Sequence, residues 1–298
     1  MPRDRGADWD FEDVRDHYLR TLFECDPDGL RANDHERYLE LSRAVSCTLI
    51  EQAIGEWRRV GSRCWGALIW QLQDVAPGAG WGLIDSDGRR KPAWHAMRRA
   101  SQPRQLILTD EGLNGLTLHV LNELDHPLHG IVRLTCLRDG SVKVREVEHV
   151  VTVEARGATL LHSADLLEAF FDISYAYRFG PRSHDVTIAT LRDAADDSLI
   201  AEAFHLPVPG ILPSRNPGLD VTVERHADDW RLRLCSRGFM QFLHIDDATF
   251  EAQDDWFHLA PDCERLITLK PGRDTLAIPR GNVRALNLEH DVSYAGEA

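Results

Sequence analysis

The 298-residue sequence has no stretch of about 18 consecutive apolar residues, so no segment reads as a membrane-spanning helix. Its opening, "MPRDRGADWDFEDVRDH", is polar and lacks the apolar core of a secretion signal, and the chain is expected to be cytoplasmic. Basic residues are in deficit: 34 Lys and Arg stand against 48 Asp and Glu, for a net charge of −14, and they gather nowhere in a run. Nucleic acid and anionic membranes are therefore not expected as partners. The six cysteines (Cys25, Cys47, Cys64, Cys136, Cys235 and Cys263) form no C-x-x-C pair and no metal spacing. A chain of this length does not need disulfide staples, so reduced thiols are expected, with Cys235 and Cys263 the one pair to check. Nucleotide-binding and nucleophile-elbow motifs are absent. The 14 histidines show no ligand spacing, and "HPLH" (His126, His129) reads as a surface turn. Neither a metal nor another cofactor is implied.

With 43% apolar residues there is enough material for roughly two domains. The first hundred residues have helical periodicity. Phe11, Val14, Tyr18, Leu19, Leu22 and Phe23 follow the candidate cap Asp10, and "CDPDGL" ends that helix. Asp34 caps a longer one, with Tyr38, Leu41, Val45, Leu49, Ala53 and Trp57 along a stripe and Gly61 closing it. "CWGALIWQL" (64–72) is a continuous apolar run, the pattern of a strand buried on both faces with neighbours on either side. "PAWHAMRRA" is a short helix with Pro92 in its first turn.

From Gln105 the period changes to two. "QLILTDEGLNGLTLHVLNEL", "GIVRLTCLRDGSVKVREVEHVVTVEA", "YAYRFG", "DVTIATLRD" and "LIAEAFHLP" read as strands parted by Gly, Asp and Asn turns, the pattern of a β-sandwich. The proline-rich "PVPGILPSRNPG" (207–218) reads as a linker. A second all-β unit follows it, in "DVTVERHADDWRLRLCSRGFMQFLHIDD", "WFHLAPDCERLITLKPG" and "VRALNLEH". Three domains are expected: 1–104, 105–212 and 213–298.

Three motifs around the apolar run carry a resemblance. They are Trp70-Gln71-Leu72-Gln73-Asp74, Trp81-Gly82-Leu83-Ile84-Asp85 and Gly88-Arg89-Arg90-Lys91. Together they resemble the end of the catalytic barrel in family 2 glycoside hydrolases of the β-mannosidase type, departing from it at Gln73 and at Val75-Ala76. "DEGLNGLTLHVLNE" is similar to the first strands of the Ig-like domain that follows that barrel. "FLHIDDATFEAQDDWFHLAPDCERLITL" resembles the terminal mannosidase Ig-like domain. The implied fold is multidomain, α/β plus all-β: the carboxyl-terminal fragment of a (β/α)8 barrel followed by two Ig-like β-sandwich domains. The implied activity is retaining hydrolysis of terminal β-linked mannose, with a β-mannoside or related oligosaccharide as substrate.

A complete (β/α)8 barrel takes about 250 residues, so the resemblance places most of it, with both catalytic glutamates, before Met1. A split gene, a frameshift or a misplaced start would produce such a chain. It would be inactive alone, and a separate chain carrying the missing barrel is the expected protein partner. Retaining chemistry needs two carboxyls about 5 to 5.5 Å apart. Asn122-Glu123 falls in alternating β sequence and Glu56 on a helix, whereas barrel sites are built from strand ends, so no catalytic residue is assigned. The resemblance leaves a substrate-binding wall: Trp70 as an aromatic floor under the sugar, Gln71 and Asp74 as partners for hydroxyls, and Trp81 in a glycine-flanked loop. Lys91 is expected to pair with a nearby carboxylate. The competing reading is a non-catalytic β-sandwich module that binds carbohydrate or braces a partner, for which the β regions offer only Trp230 and Trp256.

Overall fold

The computed structural model describes residues 11–78, 80–214, 218–227, 229–272 and 277–297. The chain is mostly β-sheet with few helices. Compact packing groups residues 1–48, 70–96 and 209–298 in one unit and residues 49–69 and 97–208 in another.

Helix α1 (Phe11–Phe23) buries Asp16, Leu19 and Phe23 at i, i+3 and i+7. Its expected cap, Asp10, lies outside the described residues. "CDPDGL" does more than end α1. The Asp26 side chain accepts the Asp28 N–H at 3.2 Å and Pro27 takes the first position, which starts a second helix, α2 (Pro27–Asn33). Asp34 then caps α3 (His35–Arg58), accepting the Arg37 N–H at 3.1 Å. One buried polar cluster ties the three helices: Tyr38 donates to Asp16 at 2.9 Å, and Arg31 donates to Asp16 at 2.5 Å and to Tyr38 at 2.9 Å. Tyr38, Leu41 and Val45 are buried as their spacing predicts, while Trp57 at the far end of the stripe is exposed. Gly61 takes the left-handed conformation that closes the segment, with φ +86°.

The apolar run 64–72 is not a strand. Residues 64–70 pair with no strand, only the Gln71 and Leu72 carbonyls at the run's end accept backbone N–H groups, from Leu83 and Ile84, and Trp65 and Leu68 are fully exposed. A strand exists only where another backbone takes up its N–H and C=O groups. Among the described residues the nearest pairing is a single bridge, Gln73 with Ile84. Helix α4 (Pro92–Ala100) follows as expected.

The first β unit has two antiparallel sheets. Strands β1 (Arg104–Asp110), β2 (Leu116–Asn122) and β5 (Gly157–His162) pair in the order β1-β2-β5. Strands β3 (Leu128–Arg138), β4 (Val142–Val153), β6 (Val186–Asp193) and β7 (Leu199–His205) pair in the order β4-β3-β6-β7. The two sheets share a core of Leu106, Leu118, Val120, Val132, Leu134 and Leu191. Asp139 and Gly140, both at positive φ, turn β3 into β4, as a tight hairpin requires. A short helix, α5 (Ser163–Leu167), precedes a long loop over 168–185.

"YAYRFG" lies in that loop and is not a strand. Asp172 accepts the backbone N–H groups of Ala176, Tyr177 and Arg178 at 2.9 to 3.1 Å, donors that a ladder would need. Tyr175 and Arg178 stand at φ +55° and +54°, in the left-handed region and outside the β region that a regular ladder uses.

In the second β unit, β8 (Asp220–His226), β9 (Asp229–Cys235), β11 (Phe250–Ala252) and β13 (Glu264–Pro271) pair in the order β11-β13-β9-β8. Strands β10 (Met240–Asp247), β12 (Phe257–Leu259), β14 (Arg280–Arg284) and β15 (Val292–Ala295) pair in the order β12-β10-β14-β15. Leu232, Leu234, Leu243, Phe250, Leu269 and Val283 fill the core between them. Asp247 organises one end: it accepts the N–H groups of Thr249, Phe250 and Arg280 and the Tyr294 hydroxyl. Burial beside Asp247 pushes the Tyr294 phenol well above its usual range.

Residues 215–217 of the proline-rich stretch lie outside the described residues. Before them the chain is tied down: Gly210 donates to the Leu22 carbonyl at 2.8 Å and Leu212 to the Gln241 side chain at 2.6 Å. Cys235 is a free thiol, so the Cys235 to Cys263 bridge is not formed.

Candidate functional site

The segment from Trp70 to Lys91 is held by its own backbone. Ile84 donates to Leu72 and accepts from Asp74, both at 2.9 Å, and Leu83 donates to Gln71 at 3.3 Å and accepts from Lys91 at 2.9 Å. Asp85 closes the "DSDGR" turn, its carboxylate accepting the N–H groups of Asp87 and Arg89. Gly88, at φ +87°, supplies the left-handed residue the turn needs.

Asp74 sits at the centre and is buried. It accepts a hydrogen bond from Lys91 Nζ and another from the Gly82 N–H at 2.7 Å. The Lys91 hydrogen bond, opposed by desolvation and helped by Gly82, holds the Asp74 carboxyl below the usual carboxylate range. Lys91 also donates to the Gly80 carbonyl at 3.3 Å. Gly82 permits this packing, because a Cβ there would stand 2.6 Å from the Asp74 nitrogen. Lys91 thus finds the carboxylate partner the sequence called for.

The expected wall residues separate into two kinds. Gln71 and Asp74 belong to the loop itself: the Gln71 carbonyl accepts the Leu83 N–H, and Asp74 is fixed by Lys91 and Gly82. Trp70 and Trp81 are outside it, 80% and 60% exposed. The Trp70–Gln71 peptide is cis. Exposed indoles can stack on the C–H face of a pyranose, while a carboxylate fixed by a lysine and a backbone N–H is committed to holding its loop. Asp74 thus serves the loop, while the two indoles are the solvated apolar groups at its surface.

The two glutamates set aside from the sequence have structural partners. Glu123 accepts from Arg58 at 2.8 Å, and Arg58 also bonds the Ala100 and Gln102 carbonyls. Asn122 is fully buried and donates to the carbonyls of His126, Val153 and Glu154. Glu56, in the last turn of α3, accepts from Arg59 just beyond it at 2.7 Å. His126 contacts Asp125, and His129 contacts Thr152. Among the described residues no group of three or more His, Cys, Asp or Glu could hold a metal ion, and no helix is long and apolar enough to cross a membrane. Sequence reasoning missed Asp172 and the rings beside it, although the aromatic alternation in "YAYRFG" was a usable signal.

No family model matches the chain. Beta-mannosidase B of Emericella nidulans is 34% identical over 283 residues, covering 88% of this chain and 32% of that protein. Beta-mannosidase B of Aspergillus clavatus is 25% identical over 283 residues, with the same two coverages. Among solved structures, a beta-D-mannosidase from Dictyoglomus thermophilum superposes with a TM-score of 0.74 at 17% identity, over 92% of this chain and 32% of that one. The chain is similar to the carboxyl-terminal portion of family 2 β-mannosidases. This β-mannosidase-like chain spans about a third of the length of the curated relatives it matches. An exo-chitosanase from Amycolatopsis orientalis shares the fold, with a TM-score of 0.65 at 11% identity over 86% of this chain and 34% of that one.

Proposed function

We propose that the chain is the carboxyl-terminal part of a retaining glycoside hydrolase acting on terminal β-linked mannose. Residues 1–104 are the last segment of its (β/α)8 barrel, and residues 105–212 and 213–298 are two Ig-like β-sandwich domains. In this reading both catalytic glutamates stand on barrel strands that these 298 residues do not contain, so the chain turns over no substrate alone. Its partner is the protein part that carries those strands, and the complex works in the cytoplasm.

One observation supports this most. An apolar run with the pattern of a doubly buried strand pairs with no strand over residues 64–70, and Trp65, Leu68 and Trp70 are exposed along it. Solvated apolar side chains of this size mark a surface awaiting a cover. Two barrel strands, one on either side, would supply it, and Trp70 would then stand near the strand's carboxyl end, where barrel enzymes bind substrate. Gln71 and Trp81 complete the wall, and Asp74 keeps it rigid.

The test is complementation. The chain alone should leave an aryl β-mannoside intact. Mixing it with a chain that supplies the first seven barrel strands should restore hydrolysis, and Trp70→Ala should then weaken it. Hydrolysis by the lone chain, abolished by Glu123→Gln, would sink the reading.

A further inference from the structure

The long loop over 168–185 carries a second aromatic surface within the first β unit. Phe170 and Phe179 are 70% and 79% exposed, and Tyr177 between them is 39% exposed. The rings touch one another: Phe170 to Tyr177 at 5.3 Å between centroids, Tyr177 to Phe179 at 5.6 Å and Phe170 to Phe179 at 6.5 Å. Phe170 and Phe179 are inclined at 41° to each other and form a shallow wedge.

The loop is pinned in advance. Besides the three N–H groups that Asp172 accepts, Ser174 donates to the Gly112 carbonyl at 2.7 Å and Tyr177 to the Leu113 carbonyl at 3.1 Å. Tyr175 donates to the Gly180 carbonyl at 3.0 Å. Loops longer than about 12 to 15 residues without regular structure are usually either functional or disordered linkers, and these hydrogen bonds hold this one in a defined shape. A rigid display of solvated rings has already met the ordering cost that a binding loop would otherwise incur on engaging its ligand.

Size and charge narrow the ligand. Three rings at these exposures offer on the order of 400 Å², about half of what one partner contributes to a stable protein interface. That area matches one or two sugar rings. Arg182 pairs with Asp185 at 2.8 Å, which leaves Arg178 as the loop's other guanidinium, a single cation rather than a cluster that would attract phosphates. An uncharged ligand with flat C–H faces fits both constraints.

We infer that Phe170, Tyr177 and Phe179 form a glycan-binding platform separate from the Trp70 wall, taking the uncharged pyranose rings of a β-linked oligosaccharide by stacking. The choice of β-linked sugar rests on the glycosidase reading above; the platform geometry does not.

Calorimetric titration of the full-length chain with mannohexaose and with cellohexaose tests this. At least one should bind saturably. Phe170→Ala/Phe179→Ala should weaken that binding about tenfold or more, with the far-ultraviolet circular dichroism unchanged because both rings are solvated. Asp172→Ala should weaken it too while keeping the rings, because it releases the loop. Absence of binding to either glycan would overturn the inference, as would unchanged binding by the double variant. So would loss of self-association in that variant without any glycan effect, which would make the patch a contact between copies. Loss of binding with Trp70→Ala alone would also overturn it and leave the glycosidase reading standing. Platform binding together with failed complementation would sink the glycosidase reading alone.

Discussion

Two apolar stretches of similar composition meet opposite fates. β2, "LTLHVLN", is buried at every position between β1 and β5, with Leu118 opposite Leu108 on one side and Leu161 on the other. The run at 64–72, "CWGALIWQL", is no less apolar and no less bounded by turn residues, yet most of it is solvated. Composition is common to both; neighbours are not. Apolar patterning states what a segment needs covered, and only a second backbone on each edge converts that need into a strand.

The sharpest way to break this comparison is truncation at matched leucines. Leu118→Ala should cost about 2 to 5 kcal/mol, because it opens a cavity between two sheets. Leu68→Ala should stay within about 0.5 kcal/mol, since Leu68 has only solvent to lose. Denaturant midpoints measure both. A Leu68 effect as large as that of Leu118 would show that the run is covered in solution.

Burial itself sets a second test. Desolvation lowers His184 in the first β unit and His244 in the second to about 4, against 6.5 unfolded. The unfolded chain therefore takes up protons first as pH falls, and stability is lost between pH 6.5 and pH 4. Each site accounts for on the order of 3 kcal/mol at most. Thermal midpoints that stay level across that window would contradict the buried, neutral state of both imidazoles.

A smaller effect belongs to the loop between Trp70 and Lys91. Asp74→Asn removes the charge that Lys91 meets and should destabilise the 70–91 loop by about 1.5 to 3 kcal/mol, toward the lower figure because Lys91 is partly solvated. Hydrogen exchange at Gly82 and Ile84 should rise ahead of global unfolding. Equal protection in the variant would mean that backbone bonds alone hold the loop. The smallest change expected is in stability on Trp65→Ala, near zero, accompanied by a clear drop in self-association on size-exclusion chromatography if this exposed run is where copies meet.

Much of this architecture was legible from local rules. Asp34 as a cap, the Tyr38, Leu41 and Val45 stripe, the change of period at Gln105 and the closing Gly61 each follow from chemistry within a few residues, and each is present. The need of Lys91 for a carboxylate was legible as well, although its identity as Asp74, 17 positions away, was not. Three strands, β5, β11 and β15, are not read from the sequence and exist because β2, β13 and β14 offer them an edge. "YAYRFG" had the alternation and became a loop, because one carboxylate at Asp172 took three N–H donors out of reach of any ladder.

By itself, then, the sequence determined where helices start, where strands alternate and which loop closes on glycine, since those are contests between a residue and its immediate neighbours. Tertiary structure decided which apolar runs are buried, that Asp74 faces Lys91 and that three rings at 170–179 stand together in water. These depend on groups far apart in the chain, whose free energy is settled only when another surface is present or absent.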